Sequence, residues 1–481
     1  MADGRELTDD EREPLQRMLS MIGQKKKVNR LRADYHDGRK QLTTKGFSIP
    51  PHMREGWDIP LGWGEKAITV PASRIRPDGF HGIVDEELRD ELADLTTDGR
   101  HETLERQWVR SAMQAGIAFA FVTANETAGE PPIRVIRPAS HASAEFDART
   151  GQVSAAVEKT GASTAILYLD GKNLKVSASR GQWVVEKEMV GVPGLVQCTP
   201  FAWSATLEHP RGRSRITRPL MGFMDIGART LLREEVTAEY FSAPQRALMG
   251  ADESAFTNSK GERISPWDAM IGGVWGIPFV WDEDEQKNLT PSLQQLQQAS
   301  MQPHVDMLRS IASMVSSETT IPLGYLGVTH DQPASADAIL ATESDMVAML
   351  EAELPAFGAA RTDFAKKCLA VQHGEWTDEL RAALRPMRAK FRDPGTPTVS
   401  ARADAGQKFV NTWPDGDPEV GMELYGLDQD QRRRMLAHLQ KGAAKKTVAE
   451  LLAKPADTHP AAEPESAKPE EPVSAGADGK P

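Results

Sequence analysis

Two short runs of residues carry side chains that can do chemistry. The acidic run Asp282-Glu283-Asp284-Glu285 offers neighbouring carboxylates, which are ligands for divalent cations. The pair His330-Asp331 has the side chains of a general base and its orienting carboxylate. However, adjacent acids on a loop are more often a solvated patch, and no nucleophile accompanies the histidine. We therefore predict no catalytic residue, no metal and no cofactor. A metal-dependent hydrolase built on residues 282–285 stays open as the alternative.

The motifs of common enzyme classes are missing from the sequence. It has no G-x-x-x-x-G-K-[ST] phosphate loop, no H-E-x-x-H and no G-x-S-x-G. The two cysteines, Cys198 and Cys368, lie far apart and lack the spacing of a zinc site. A structural disulfide between them is not expected in a reducing compartment. These absences favour a protein that is not an enzyme.

The composition and net charge of the chain disfavour further classes of function. The 481 residues carry a formal net charge of −12, which disfavours a protein that grips nucleic acid by neutralising phosphates. It does not exclude a protein past which DNA slides. No run of about 18 apolar residues occurs, so we predict no membrane span. The N-terminus has no apolar signal region, so we expect the protein to stay in the cytoplasm of the cell that makes it.

The elements around His330-Asp331 can be predicted from spacing. A helix is expected to begin at Gln302-Pro303, because proline suits the first turn. Residues 321–333 contain two prolines and two glycines, so we predict that this loop is not helical. Ser335 can cap a longer helix whose apolar residues form two neighbouring stripes. Pro355 lies inside that pattern and predicts a kink.

The N-terminal part of the chain mixes helices and strands, so the predicted fold class is α+β. Apolar spacing predicts helices over 7–35 and 83–115. Short apolar runs separated by turns then predict strands in an antiparallel meander, within 117–122, 133–136, 153–157, 165–169, 174–178 and 183–185. Residues 1–210 together are predicted to form one α+β domain.

After residue 373 the sequence predicts a strand, a group of short helices and a tail without structure. Residues 387–392 are predicted to form a strand, and short helices follow up to residue 453. The triplet Arg432-Arg433-Arg434 is interpreted as a solvated face, with contact to DNA as the alternative. From residue 454 the chain is rich in Pro, Ala, Glu and Lys without aromatic residues, which predicts disorder.

Three groups of residues together resemble one family. The first is Ile321-Pro322-Leu323-Gly324-Tyr325-Leu326-Gly327 with Ser335 to Ile339 and Glu343; the second is the aromatic-x-x-Gly step at Tyr35, followed by Gly62-Trp63 and Asp78-Gly79-Phe80. The third combines Ser214-Arg215-Ile216-Thr217-Arg218-Pro219, Arg229-Thr230-Leu231-Leu232 and Ala243-Pro244-Gln245-Arg246. These strings resemble the portal proteins of tailed bacteriophages that infect actinobacteria.

The resemblance implies a portal-like architecture with the following parts: an α+β wing (1–210), a first stem helix (211–241), a small clip (242–301), a second stem helix (302–317), a tunnel loop (318–334), a long kinked helix (335–373), a return to the wing (374–400), a helical crown (401–453) and a disordered tail (454–481). It also implies a dodecameric ring at one capsid vertex, through which double-stranded DNA is packaged and ejected. The implied partners are a terminase, the major capsid or scaffold protein and a head–tail adaptor. The implied location is the virion, after assembly in the host cytoplasm.

The resemblance also assigns roles to the two runs named first. Within the tunnel loop, the residues expected to face the DNA channel are Gly327, Val328, Thr329, His330, Asp331 and Gln332. They include no Lys or Arg that would hold DNA in place, and His330 is the one whose charge can change near neutral pH. Asp282, Glu283, Asp284 and Glu285 would lie on the clip, facing terminase or connector. A virion scaffold protein without a channel is a further alternative.

Overall fold

The computed structural model describes residues 5–45, 49, 59–97, 99–127, 130–179, 181–241, 246–249, 263, 280–282, 287–289, 292–295, 300–327, 336–395 and 397–440. It shows a mixed α+β chain that divides into two compact units, Met1–Gly395 and Thr396–Pro481. The predicted fold class is therefore confirmed at this level.

The helices of the first unit are α1 (Asp9–His36), α2 (Trp63–Arg74), α3 (Glu86–Thr97), α4 (Gly99–Ala115), α5 (Arg218–Phe241), α6 (Gln302–Thr319), α7 (Ala336–His373) and α8 (Asp378–Ala383). A 3-10 helix spans Leu323–Leu326. The second unit contains α9 (Val399–Thr412), α10 (Pro418–Tyr425) and α11 (Gln429–Gln440). No helix within the described ranges has an apolar stretch long enough to cross a bilayer.

The strands are β1 (Arg5–Glu6), β2 (Pro77–His81), β3 (Ile117–Thr123), β4 (Ile133–Pro138), β5 (Ala142–Phe146), β6 (Val153–Lys159), β7 (Thr164–Leu169), β8 (Lys172–Ser179), β9 (Gln182–Val190), β10 (Cys198–Ala202), β11 (Arg246–Met249), β12 (Val280–Asp282), β13 (Lys287–Leu289), β14 (Ser292–Gln295) and β15 (Arg388–Phe391). β11 pairs with β14, and β12 pairs with β13.

The largest sheet is six-stranded, in the order β1-β9-β8-β7-β6-β5. β6 to β9 form the predicted antiparallel meander, and β5, which was not predicted, extends it. Successive side chains of a strand point to opposite faces. Apolar residues at alternate strand positions therefore share one core with a stripe of α1: Leu15, Met18, Ile22, Val157, Leu167 and Val176. This core fixes α1 against the meander.

A second sheet has the order β10-β3-β4. The prediction that residues 117–122 and 133–136 belong to the meander is wrong, because β3 and β4 pair with each other in this separate sheet. Both faces of β3 are buried. Ile117, Phe119 and Phe121 pack towards the first sheet, whereas Ala118, Ala120 and Val122 belong to the central core on the other side.

The central core is built around aromatic side chains of α4 and α7. Trp108 meets Phe357 and Phe364 edge-on, with ring centroids 5.7 and 5.6 Å apart. Its indole Nε1 donates to the Ala118 carbonyl at 3.1 Å. Since Trp108 and Phe357 are fully buried, these contacts fix the second half of α7 against α4.

The helix predicted over 83–115 is present on both sides of residue 98, as α3 and α4, and residue 98 itself lies outside the described ranges.

Helices α5 and α6 lie antiparallel to each other. At one end Thr217 donates to Glu318 at 2.7 Å, and at the other Thr237 lies 3.4 Å from His304 Nε2. Their packed residues follow helical spacing: Leu220, Met224, Ala228, Leu232, Val236, Ile311, Ala312 and Val315. The helices predicted for 211–241 and 302–317 are thus present, with slightly different bounds. Their role as a stem stays a prediction.

Helix α7 continues through Pro355 from Ala336 to His373. The predicted long helix is therefore present, and its kink stays a prediction. Beyond it, β15 pairs with β2, so the chain does return to the N-terminal region as expected.

The second unit contains the predicted short helices. The interpretation of Arg432-Arg433-Arg434 as a solvated face is wrong for Arg432, which is only 3% exposed. Its Nη1 donates to the Leu427 carbonyl at 2.9 Å, and its Nε lies 3.7 Å from Glu419. Arg432 therefore holds α11 against the preceding turn.

A buried carboxylate at the start of α1 makes a testable contribution to stability. Burial would raise the pKa of Glu11, but hydrogen bonds from Arg5, Lys172 and the Thr8 amide lower it to about 2. A carboxylate whose pKa is lower in the folded than in the unfolded protein stabilises the fold at any pH above its pKa in the unfolded state. That stabilisation is lost as the pH falls towards its pKa in the folded state. We expect Glu11→Gln to lower the melting temperature at pH 7. The difference from wild type should shrink between about pH 5 and pH 2; a difference independent of pH would contradict the assignment.

Candidate functional site

The segment between α6 and α7 contains the predicted tunnel loop. Of its six expected channel residues, only Gly327 is described; Val328 to Gln332 lie outside the described ranges. The expectation that the loop has no helix needs correction, since Leu323–Leu326 form a 3-10 helix. Gly327 ends that helix with φ +86°, a left-handed conformation that favours glycine.

Helix α6 ends in an unusual conformation just before the loop. Thr320 is left-handed with φ +56°, which is uncommon for a β-branched residue. The Ser316 hydroxyl donates to the Ile321 carbonyl at 2.6 Å, and Ile321 itself is 1% exposed. These contacts hold the turn in place, so the loop leaves the helix in a defined direction.

Trp63 of α2 fixes the C-terminal end of the 3-10 helix. Its Nε1 donates to the Leu326 carbonyl at 3.1 Å, and both side chains are buried. Space for the indole comes from Gly227 of α5, because a Cβ there would lie 3.1 Å from Trp63 Cζ3 and 2.5 Å from Leu61 Cδ1. One tryptophan thus joins α2, α5 and the base of the loop.

A charged cluster joins the same region to α7. Glu343 Oε1 accepts from Tyr325 Oη at 2.6 Å and from Arg74 Nη2 at 2.8 Å, and the Arg74 nitrogen also lies 2.8 Å from Tyr325 Oη. Glu343 is 5% exposed. Burial and the hydrogen bond to Glu343 raise the pKa of Tyr325, which keeps its hydroxyl a donor. We call Arg74, Tyr325 and Glu343 the loop clamp.

Arg215 is a third anchor. Its guanidinium donates to the Ala67 carbonyl at 2.6 Å and the Thr319 carbonyl at 2.5 Å, and lies 2.8 Å from the sulfur of Met349. Burial lowers the pKa of Arg215 to about 10, so it stays charged at pH 7. A single side chain therefore joins α2, the end of α6 and α7.

Sequence reasoning assigned no role to Trp63, Arg74 or Arg215. Trp63, Arg215 and Glu343 stood within the strings that carried the family resemblance, which is the one indication that could have drawn attention to them. Their partners are remote in sequence, so spacing could not pair them.

Within the described residues, no contact joins the acidic run Asp282 to Glu285 to the base of the tunnel loop. Asp282 ends β12 opposite Lys287 of β13, whereas Glu283, Asp284 and Glu285 lie outside the described ranges. In the parts of the chain that the structure describes, no group of three or more His, Cys, Asp or Glu side chains can hold a metal ion. Cys198 and Cys368 are both free and buried, and burial raises the pKa of each thiol.

Comparison with known proteins tests the family resemblance. No family model matches the chain. Two curated proteins named portal protein, from Mycobacterium phages L5 and D29, are 29% and 28% identical to it over 289 residues. The predicted resemblance to portal proteins is confirmed. Each match covers 58% of this chain and 56% of the relative, so the chain spans about half the length of the curated portal proteins it matches.

Solved structures show a more distant likeness. The neck of an empty gene transfer agent particle, computed with C6 symmetry, aligns with a TM-score of 0.45 and 12% identity, covering 82% of this chain and 93% of that one. The virion of a native gene transfer agent particle aligns with a TM-score of 0.43 and 11% identity, covering 78% and 89%.

Proposed function

We propose that this protein is the subunit of a portal, a ring at one capsid vertex through which DNA enters and leaves the particle. The observation that carries the proposal is the sequence match to curated portal proteins of two mycobacteriophages. That match lends no support to a metal-dependent hydrolase, and the described residues contain no metal-binding group of side chains.

The tunnel loop is placed in the channel under this proposal. Trp63, Arg215 and the loop clamp fix both sides of the loop's base to the wing and to α7. Such a base suits a loop that must touch moving DNA while the ring around it stays intact. The sequence of Gly327 to Gln332 adds small and polar groups without a permanent positive charge.

The remaining segments of the chain are assigned by the same comparison with portal proteins. Helices α5 and α6 form the stem, Asp282 to Glu285 face a terminase or a head–tail adaptor, and α9 to α11 form the crown. The dodecameric state, the DNA and the capsid or scaffold contacts belong to the proposal. So does the location, the virion after assembly in the host cytoplasm.

Native mass spectrometry of the purified protein tests the proposal, under assembly conditions that include salt and Mg²⁺. A closed homo-oligomer, with twelve copies as the expected number, would support it. A monomer under every condition would overturn the portal assignment. A metal-dependent hydrolytic activity in that monomer would favour the hydrolase, and an open assembly without an axial hole would favour the virion scaffold.

A further inference from the structure

A groove of about 770 Å³ lies on one side of the three-stranded sheet. It is bounded by the second half of α1, by Ile117 and Phe119 of β3, and by residues 208–221. Its lining is strongly basic, with Glu208 as the acidic member beside Lys25, Arg32, Arg211, Arg213 and Arg218. The groove therefore has an apolar floor and a cationic rim.

The cations of this rim are poorly neutralised. Among the described residues, no carboxylate lies within 4.0 Å of the charged groups of Lys25, Arg32 or Arg218. Arg32 donates instead to the Ala115 carbonyl at 2.8 Å, and burial lowers its pKa. Val28 and Leu31 are 45% and 38% exposed beside it. Such a surface is complementary to one that is both acidic and apolar.

The start of α7 is a surface of that kind. From residue 336 to residue 360 the helix contains several Asp and Glu but no Lys or Arg. Asp345 and Glu351 are exposed, and the described residues place no cation within 4.0 Å of either carboxylate. Leu340 is 42% exposed and lies on the same side of the helix as Glu351, so apolar and acidic groups share this surface.

The groove and helix α7 lie on opposite sides of β3. Ile117 and Phe119 of β3 face the groove, whereas Ala118 and Ala120 face the core that contains Phe357 of α7. Complementary surfaces on opposite sides of one subunit allow head-to-tail contacts, which close into a ring when the rotation permits. Contacts that use the same face twice would give a dimer instead.

We propose that the acidic, apolar start of α7 in one copy docks on the basic groove of the next copy. The inference rests on the proposed function, since it names the surface that joins neighbouring subunits of the ring. Opposite charges select the partner surface, and the apolar residues of both surfaces lose contact with water.

Charge reversal tests the pairing. The groove variant is Lys25→Glu with Arg218→Glu, and the helix variant is Asp345→Lys with Glu351→Lys. We expect each variant alone to lose most of its rings in negative-stain images, while melting curves show that it stays folded. An equimolar mixture should regain rings, because each altered surface then meets an oppositely charged neighbour. Those rings should contain the two variants in equal numbers by native mass spectrometry.

Matched controls change the net charge equally at other exposed sites. Arg106→Glu with Lys187→Glu, and Glu102→Lys with Glu126→Lys, alter side chains that are 58–85% exposed within their own ion pairs. Both controls should form rings. If the groove variant and the helix variant each still form rings, the docking inference is wrong but the proposed function stands. The same holds if mixing the two variants does not restore rings. A wild-type protein that forms no ring would overturn the proposed function as well.

A second measurement does not depend on charge. A photo-crosslinking amino acid in place of Leu340 should join copies of the chain in the assembled wild-type background. Mass spectrometry should find the crosslinked peptide within residues 21–32 or 208–221 of another copy. Crosslinks confined to other segments would overturn the inference even if the rings are intact.

Discussion

Arg361→Ala is expected to lower the free energy of unfolding by about 3–5 kcal/mol, because it leaves a buried carboxylate without its strongest partner. Arg361 Nε donates to Glu105 Oε1 at 2.5 Å, and both side chains are at most 5% exposed. The same guanidinium donates to the Gly79 carbonyl and lies 4.1 Å from the Phe80 ring centroid. Urea denaturation at one fixed protein concentration measures the change.

The surrounding network explains why Glu105 stays charged. Burial would raise its pKa, but Arg361 and His101 lower it below the usual value. Arg134 donates to His101 Nδ1 at 3.1 Å, so the His101 proton lies on Nε2, which donates to Glu105 at 3.1 Å. Removing Arg361 leaves a neutral histidine as the nearest remaining partner.

Arg106→Ala is the matched control for this prediction. Arg106 lies on the same helix as Glu105, but its ion pair with Glu102 is exposed. Such pairs contribute about 0–1 kcal/mol, so this variant should unfold almost like the wild type. Equal effects of Arg361→Ala and Arg106→Ala would contradict the account of the central core.

Replacement of residues 328–332 by a Gly/Ser linker is expected to leave rings intact and to reduce strongly the DNA retained in packaged particles. The loop's base is held by Trp63, Arg215 and the loop clamp, and none of these residues is changed. The linker removes only the segment proposed to touch DNA. Electron microscopy counts the rings, and nuclease protection measures the retained DNA.

A Gly/Ser replacement of residues 148–150, in the turn between β5 and β6, is the control. This turn is exposed and remote in sequence from the loop, so both ring formation and DNA retention should be unchanged. Loss of rings in the 328–332 variant would make the loop an assembly element. Normal packaging and retention would contradict its role in the channel.

Much of the local structure could be predicted from the sequence. Helices α5, α6 and α7 were placed within a few residues, because apolar spacing and Pro303 are local properties. Strands β6 to β9 could also be predicted, because short apolar runs between turns are a local property too.

The contacts that build the site could not be predicted in this way. Trp63 and Leu326 are 263 residues apart, and Arg74 and Glu343 are 269 apart. Neither a tryptophan nor an arginine indicates from its neighbours which remote carbonyl or carboxylate it will meet. The same limit explains why β4 was assigned to the wrong sheet, since pairing with β3 depends on the three-dimensional fold.

A cryo-electron microscopy reconstruction of the assembled protein tests the central claim most directly. The portal account predicts a closed ring with an axial hole. It also predicts that Gly327 and the residues after it line that hole, with the Trp63–Leu326 contact behind them. A closed ring whose loops lie on the outer surface, or an assembly without an axial hole, would contradict it.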